Sequence, residues 1–342
     1  MGGAFYALKS ERSFRILWPE WEHVFKPGKS NWTFDANVLN IPYEDKNGQE
    51  IDKTRVEDVN GNKTYPAFKD RTDIGVVNDL NSRQVTDPLA VPNIEKFKHI
   101  FFHSNRGPTR ELFDEISAQY KWGDVFPIND DSYAAVYMCI FEGLFRPTEE
   151  FLQSSYKAVG HTAVPFSHVI KVLEDPKLSS MSFHHRVDDG TAAANSATDA
   201  ITAKEIQTIV ALRSKHAIED RKMNLFFVSN SNASSHKILH DDSIKTAFHA
   251  VYCQELSAVI HVNSLEGESS SHTQRASTKA IASTLQAMRD WWVMRLSDVL
   301  IGEQSGFSKS AALLAPPDQV RYEDGGSAYR PNYWIMCGSR FC

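Results

Sequence analysis

Apolar and polar residues in the second half of the chain fall into blocks that predict strands followed by helices. MSFHHR from Met181 is a strand candidate, and MNLFFVS through Val228 and AVIHV from Ala258 are short apolar runs of the kind found in buried strands. Residues 201–218, between the first two runs, place apolar side chains every three or four positions and predict a helix. Strands that alternate with helices predict a mostly parallel sheet that is covered on both faces.

The same alternation continues toward the carboxyl terminus. A long helix is predicted by apolar residues spaced three or four positions apart, namely Ile281, Leu285, Met288 and Trp292. A strand follows at residues 298–301, then a tight turn at Ser305 and Gly306, and then a helix, FSKSAALL, that ends before Pro316. Parallel sheets of this kind bind ligands at the carboxyl ends of their strands, so the polar residues after each strand are the candidates for chemistry.

The first half contains one clear strand–turn–helix unit. Residues 100–102 are apolar, a polar turn passes through Gly107 and Pro108, and TRELFDEI continues as a helix. Residues 44–74 and 187–203 are rich in small and polar side chains and predict surface loops. The chain of 342 residues is long enough for two domains, each with its own core.

Composition and charge exclude several classes of function. The formal net charge of −6 argues against a surface that neutralises phosphate backbones, so no nucleic-acid partner is expected. No apolar run reaches the length that crosses a bilayer, and the first residues predict no targeting signal. Three N-glycosylation sequons begin at Asn31, Asn62 and Asn232 and are compatible with a secretory location. Four scattered cysteines leave the redox compartment open, although Cys337 and Cys342 are close enough in sequence to close a small loop.

The first candidate for chemistry is the sequence FHHRVDDG at the end of a predicted strand. An arginine there can donate two parallel hydrogen bonds to a diphosphate, because the guanidinium group is a planar and permanent cation. Strand alternation places His184 and Arg186 on the same side. The alternative is an exposed strand end with ordinary charged side chains.

Two further polar segments follow predicted strands. Ser305 and Gly306 precede a helix, where the N–H groups of the first turn and the positive end of the helix dipole favour an anion. A plain helix N-cap is the alternative at this turn. Ser229, Asn230 and Ser231 come directly after an apolar strand and alone indicate only a loop.

Together, in this order and spacing, these segments resemble the fucosyltransferase superfamily. MSFHHR is similar to the first motif of that family, FFVSNS to the second, and WWVMRLSDVLIGEQSGFSKSAA, the most specific of the three, to the third. AFYALKSERSFRILWPE and CIFEGLFRPTEEF are similar to earlier stretches, so the resemblance touches nearly the whole chain. It implies a GT-B-like α/β fold, in which two Rossmann-like domains face each other across a cleft.

The resemblance also implies a division of labour and a reaction. Residues 1–155 would form the acceptor-side domain, and residues 156–342 would bind the nucleotide-sugar donor. The reaction would be an inverting, metal-independent transfer of fucose from GDP-fucose to a glycan hydroxyl, without a cofactor. The expected location is the Golgi lumen, behind a membrane anchor that is not found in this sequence.

Family resemblance suggests a role for each residue at the phosphate end of the donor. Arg186 would hold the donor diphosphate together with the N–H groups around Ser305, Gly306 and Phe307. His184 would orient Arg186 or a donor phosphate. These groups would replace the neutralising role that a divalent ion has in other transferases.

The remaining candidates have less specific roles. Asp188 or Asp189 lies two or three residues past Arg186 and is the nearest candidate for the general base that takes the acceptor proton. Ser229, Asn230 and Ser231 are expected to lie near the donor.

Two departures from the family pattern keep other functions open. Asn230 stands where the second motif usually carries an acid, and only Met-Gly-Gly precedes Ala4, where the family's first strand and glycine-rich turn are expected. The first domain is therefore expected to lack its first strand. The alternatives are a nucleotide- or glycan-binding homologue without turnover, and a transferase that uses another nucleotide sugar.

One histidine pair has the spacing of a zinc site. His236 and His240 share one face of a predicted helix, but Lys237 stands where the zinc-protease motif has its glutamate. A solvated helix is the favoured interpretation, and no metal is expected.

Overall fold

The computed structural model of the chain has a mixed α/β architecture. It describes residues 20–33, 74–78, 99–103, 109–186, 200–217, 220–255, 278–302, 306–315, 319–323 and 327–328, with residues 4, 7, 8, 13, 15 and 16. Within the described chain the strands are β1 (Phe25–Pro27), β2 (Ile74–Asn78), β3 (His99–His103), β4 (Phe145–Pro147), β5 (Ser155–Tyr156), β6 (Val164–Pro165), β7 (Leu178–His185), β8 (Lys222–Ser229), β9 (Ala250–Cys253), β10 (Val299–Gly302), β11 (Val320–Glu323) and β12 (Ser327–Ala328).

The helices of the described chain lie mostly between these strands. They are α1 (Trp21–Val24), α2 (Thr109–Gln119), α3 (Asp130–Leu144), α4 (Glu149–Gln153), α5 (Phe166–Leu173), α6 (Ala203–Lys215), α7 (Asn232–His240), α8 (Asp242–Ala247), α9 (Thr278–Leu296) and α10 (Gly306–Leu313), with a 3-10 turn at Trp122–Asp124. In the first half, β2 pairs with β3 in parallel and β3 is followed by α2, which confirms the predicted strand and helix there.

The largest sheet has the strand order β12-β11-β10-β7-β8-β9. The five strands from β11 to β9 run parallel to one another, and β12 pairs antiparallel with β11 at one edge. The chain therefore moves outward from β7 through β8 to β9 on one side, and then crosses back to place β10 and β11 on the other. This is the order of a doubly wound nucleotide-binding sheet.

Helices cover both faces of this sheet, as predicted. Neighbouring residues of a strand face opposite sides, so the adjacent Phe226 and Phe227 of β8 belong to different cores. Phe227 packs in one apolar cluster with Ile206 of α6, whereas Phe226 packs in another with Trp292 of α9. Two buried faces explain why these strands are continuous apolar runs in the sequence.

Aromatic side chains of the first half pack directly against α9. The ring of Phe25 in β1 lies 6.0 Å from that of Trp292, and the ring of Phe141 in α3 lies 5.6 Å from that of Trp291, centroid to centroid. Arg295, near the end of α9, donates to the Glu142 carboxylate over a distance of 2.9 Å. One apolar core therefore runs from Val24 in the first half to residues of the large sheet.

A buried polar cluster joins α9 to the end of β9. Gln254 donates through its side-chain amide to the Asp290 carboxylate (3.2 Å) and accepts from the Arg289 guanidinium (2.8 Å). Arg289 also donates to the Ser154 hydroxyl at 3.0 Å. Burial raises the pKa of Asp290 to about 7, and the neighbouring Arg289 offsets part of that effect.

The structure differs from the sequence predictions for the large sheet in three respects, and one predicted strand lies outside the described residues. β7 begins at Leu178 rather than at Met181, because Leu178–Ser180 pair with Lys222–Asn224 of β8. Ser180 also donates to the Asp298 carboxylate through its N–H and hydroxyl groups. The third strand along the chain is β9 at residues 250–253, whereas the predicted AVIHV strand lies outside the described residues. The predicted loop at 187–203 ends in ordered structure, since Ile201 is fully buried.

Two remaining features are the length of the helices and the state of the cysteines. Among the described helices, none is both long and apolar enough to cross a membrane. Cys139 in α3 is disulfide-bonded, whereas Cys253 is a buried free thiol. Cys337 and Cys342, which are close enough in sequence to close a small loop, lie outside the described residues.

Candidate functional site

The candidate site lies where the winding direction of the large sheet reverses. β7 and β10 are neighbours, but the chain leaves β7 toward β8 and leaves β10 toward β11, on the opposite side. The connecting helices therefore diverge and leave a crevice outside the carboxyl ends of these two strands. Residues 184–186, Gly302 and the start of α10 lie at that edge of the sheet.

His184 is the second-last residue of β7 and lies on the face of the sheet that α10 covers. Its ring lies 5.8 Å from the ring of Phe307, centroid to centroid, and only 6% of its surface is exposed. Arg186 directly follows the strand, two residues after His184, and is exposed. Alternation along an extended chain places Arg186 on the same side as His184. The structure therefore brings the end of β7 to the first turn of α10.

The first turn of α10 packs very closely on the end of β10. A Cβ atom built on Gly302 would lie 3.1 Å from both Cβ and Oγ of Ser308, so glycine is the residue that permits this approach. Ser308 itself is only 2% exposed. The first N–H groups of a helix have no acceptor within the helix, which is the arrangement that favours an anion, and α10 begins at Gly306.

The polar residues after β8 lie beside the end of β7. Ser229 is the register partner of His185, so the two strand ends are adjacent. The Ser229 hydroxyl accepts the N–H of Ser231 (3.0 Å), and the Ser231 hydroxyl caps α7 by accepting the N–H of Ser234 (3.3 Å). Both serines therefore have structural hydrogen bonds, and Asn230 between them is half-buried.

His185 points to the opposite face of the sheet and was assigned no role from the sequence. Its ring stacks on Phe227 with a centroid distance of 6.2 Å, and its Nδ1 lies 3.5 Å from Oε1 of Glu205. Glu205 also accepts from Thr202 in the capping box of α6. The Thr202-x-x-Glu205 spacing is a recognisable helix start, but its contact with His185 depends on how α6 packs.

Three of the predicted site residues lie outside the described part of the chain. They are Asp188, Asp189 and Ser305. The structure thus groups His184, Arg186 and the start of α10 around one crevice, with Asn230 at the neighbouring strand end.

The predicted histidine pair lies on the exposed side of α7. The rings of His236 and His240 are nearly parallel, with centroids 6.2 Å apart. No group of three potential metal-binding side chains was found among the described residues. The pair therefore lacks a third protein ligand within that part of the chain.

Comparison with solved structures places this architecture beside the fucosyltransferases. The chain superposes on an arginine-to-lysine mutant of FUT1 from Arabidopsis thaliana in complex with GDP, with a TM-score of 0.52 and 13% identity. The match covers 92% of this chain and 64% of that chain. This likeness confirms the expected GT-B-like α/β fold. The chain spans less than two thirds of the length of the Arabidopsis structure.

Weaker structural matches were also found, whereas the comparisons of sequence found none. The fucosyltransferase NodZ from Bradyrhizobium matches over 92% of this chain and 89% of its own, with 11% identity and a TM-score of 0.42. A second NodZ structure, soaked with GDP-fucose, matches with 11% identity and a TM-score of 0.40 over the same shares of the two chains. No family model matches the chain. No curated protein matches it in sequence either.

Proposed function

We propose that this protein transfers a sugar from a nucleoside-diphosphate donor bound at the carboxyl ends of β7 and β10. The observation that carries the proposal is the contact between the rings of His184 and Phe307, at 5.8 Å. It joins the strand end that carries Arg186 to a helix start with N–H groups suited to an anion. In addition, the Arabidopsis protein of the same fold is in complex with GDP.

In this proposal the protein itself neutralises the leaving diphosphate. Arg186 donates two parallel hydrogen bonds to it, and the N–H groups of Ser305, Gly306 and Phe307 bind the same group from the other side of the crevice. His184, buried beside Phe307, orients Arg186 or a phosphate. These charges and dipoles are fixed before the reaction, so they stabilise negative charge as it develops on the leaving group.

The donor proposed is GDP-fucose, and the reaction is an inverting, metal-independent transfer to a glycan hydroxyl. In this proposal Ser229, Asn230 and Ser231 lie near the donor, and Asn230 contacts its base or ribose. Asp188 or Asp189 is the proposed general base for the acceptor hydroxyl.

Residues 156–342 form the donor-binding half in this proposal, and residues 1–155 form the acceptor side. The glycan acceptor binds across the crevice from the donor. The Golgi lumen is the proposed location of the reaction.

Calorimetric titration tests the donor assignment, and a transfer assay tests turnover. Purified protein is titrated with GDP and with UDP, and then incubated with GDP-fucose and a panel of glycan acceptors. We expect tighter binding of GDP than of UDP, and release of GDP that depends on an acceptor. Equal affinities for the two nucleotides would contradict the donor assignment. Tight binding of GDP without turnover would instead indicate a binding protein.

A further inference from the structure

The sequon Asn31–Trp32–Thr33 has an unusual arrangement in the described part of the chain. Trp32 is 1% exposed, packs against the Phe145 ring at 5.4 Å and donates its indole N–H to the Leu144 carbonyl at 2.6 Å. The flanking Asn31 remains exposed. A buried central residue therefore fixes the sequon to the core while its acceptor asparagine faces solvent.

The backbone of this segment is held on a second side. Trp32 accepts a backbone hydrogen bond from the Ile16 N–H at 2.9 Å, and the Arg15 guanidinium donates to the Asn31 carbonyl. Side chains alternate along an extended segment, so Asn31 and Thr33 share the side opposite Trp32. The position of the asparagine is thus set by the fold rather than by a free loop.

Hydrogen bonds of Asn31 determine which atom of its amide faces outward. Its Oδ1 accepts from the N–H of Thr33 (3.0 Å) and from the Thr33 hydroxyl (2.6 Å). A backbone N–H can only donate, so the atom that it contacts must be the oxygen. Within the described residues the Nδ2 group has no protein partner, and Nδ2 is the atom to which an N-linked glycan is attached.

The sequon at Asn232 has the opposite character. Asn232 is half-buried in the first turn of α7, directly after the candidate donor segment. Ser234, the hydroxyl-bearing third residue of this sequon, is fully buried, and its hydroxyl accepts the N–H of Ile201 at 3.0 Å. A glycan at Asn232 would have to fit between the helix start and the crevice, whereas one at Asn31 would extend into solvent.

The state of Cys139 is consistent with the compartment in which N-glycosylation occurs. This residue is disulfide-bonded. Structural disulfides form mainly in oxidising environments such as the lumen of the endoplasmic reticulum, where sequons are also modified.

We infer that Asn31 is an N-glycosylation site of this protein and that Asn232 is not. The donor is a lipid-linked oligosaccharide diphosphate, used by the host's oligosaccharyltransferase. The bond between C1 of the first sugar and the phosphate oxygen breaks, and its electron pair leaves with the lipid diphosphate. A new C1–N bond forms at Nδ2 of Asn31, which loses one proton.

Peptide mass spectrometry tests this assignment on the whole chain. The chain is expressed in human cells behind a cleavable secretory signal, and both secreted and retained protein are treated with PNGase F in heavy-oxygen water. This treatment converts each glycosylated asparagine into labelled aspartate. We expect the label at Asn31 in most of the secreted protein and none at Asn232.

Matched variants separate the sequon from the surrounding fold. Thr33→Ser keeps the sequon and should keep the label, whereas Thr33→Ala and Asn31→Gln should abolish it at this position. Asn232→Gln should leave the mass shift of the intact protein unchanged. An unlabelled Asn31 in the wild-type peptide, or a labelled Asn232, would overturn the assignment, and both are measured without depending on how well any variant folds.

Discussion

The imidazole of His184, at the end of β7, lies 5.8 Å from the phenyl ring of Phe307 in the first turn of α10, centroid to centroid. These two residues belong to different motifs of the sequence, and only the doubly wound order of the sheet brings them together. The contact fixes the distance between the strand end that carries Arg186 and the start of α10. Both parts of the proposed diphosphate site therefore depend on it.

A double-mutant cycle measures this contact. We expect His184→Ala and Phe307→Ala each to weaken GDP binding, with a coupling of about 0.5 to 1.5 kcal/mol between them, typical of ring pairs. Calorimetry on the four proteins gives the coupling. Strictly additive losses would indicate that the two rings act independently.

Replacing Arg186 with lysine keeps the charge but removes the planar fork. We expect the rate of transfer to fall about a hundredfold, which corresponds to about 2 to 3 kcal/mol of transition-state stabilisation. The melting temperature should hardly change, because Arg186 is exposed. Arg186→Ala should lower the rate of transfer more than Arg186→Lys does.

Arg221→Lys is the matched control for that substitution. Arg221 is also exposed, but it directly precedes β8 and so lies at the amino edge of the same sheet, away from the crevice. Full activity in this control and a large loss in Arg186→Lys are expected. Equal rates for the two variants would contradict the assigned role of Arg186.

Gly302→Ala tests the close approach of α10 to β10. The added methyl group would lie 3.1 Å from Ser308, so the first turn of α10 must move by a few tenths of an ångström. We expect weaker GDP binding, and partial recovery in the double variant with Ser308→Gly, which removes the opposing Cβ. Calorimetry compares the three proteins, and a wild-type affinity in Gly302→Ala would show that binding tolerates this shift.

Two glycines at one contact offer a matched test of stability. A Cβ on Gly28 would lie 2.4 Å from the Gly143 carbonyl oxygen, whereas a Cβ on Gly143, inside α3, meets nothing within 4 Å. Gly28→Ala should therefore lower the free energy of unfolding by about 1 to 3 kcal/mol or more. Gly143→Ala should raise it by about 0.5 to 1 kcal/mol, since glycine is unfavourable within a helix. Urea unfolding of both variants decides, and a reversed order would contradict the described contact.

The buried carboxyl of Asp290 predicts a pH dependence of stability. Burial raises its pKa from 3.8 to about 7, so the folded state binds its proton more tightly than the unfolded state. This contribution is complete below pH 3.8 and is lost as the pH rises to about 7. Asp290→Asn mimics the neutral acid and can still accept from Gln254.

Urea unfolding of wild type and Asp290→Asn at several pH values isolates this group. The free energy of unfolding of the wild type, relative to that of the variant, should fall between pH 3.8 and about pH 7 and then level off. A constant difference between the two proteins, or a rise with pH, would contradict a raised pKa for Asp290.

Hydrophobic periodicity predicted much of the large sheet, but not all of it. β8, α6, α9 and β10 are long or strongly apolar, and the structure confirms them within a few residues. β9 was missed because it has four residues and lies at the edge of the sheet, where only Cys253 is buried. The start of β7 was missed because Leu178–Ser180 are mostly small and polar in sequence. They pair with Lys222–Asn224 of β8, a segment more than 40 residues away in the sequence.

The candidate site was predictable only as far as local sequence determines it. Polar residues after strands marked the ends of β7, β8 and β10, and the parallel arrangement implied that these ends share one edge. The hydrogen bonds of Ser229 and Ser231 are local, but the contact of His185 with Glu205 arises from packing between elements. No spacing in the sequence contains that information.

A crystal structure of the full chain with GDP tests the proposed donor site most directly. We predict that the diphosphate lies in the crevice outside β7 and β10, with its oxygens within hydrogen-bond distance of the Arg186 guanidinium and of the N–H groups of Gly306 and Phe307. The His184 ring should remain packed on Phe307. A nucleotide bound elsewhere on the chain, or a diphosphate that contacts neither Arg186 nor the start of α10, would contradict this account of the site.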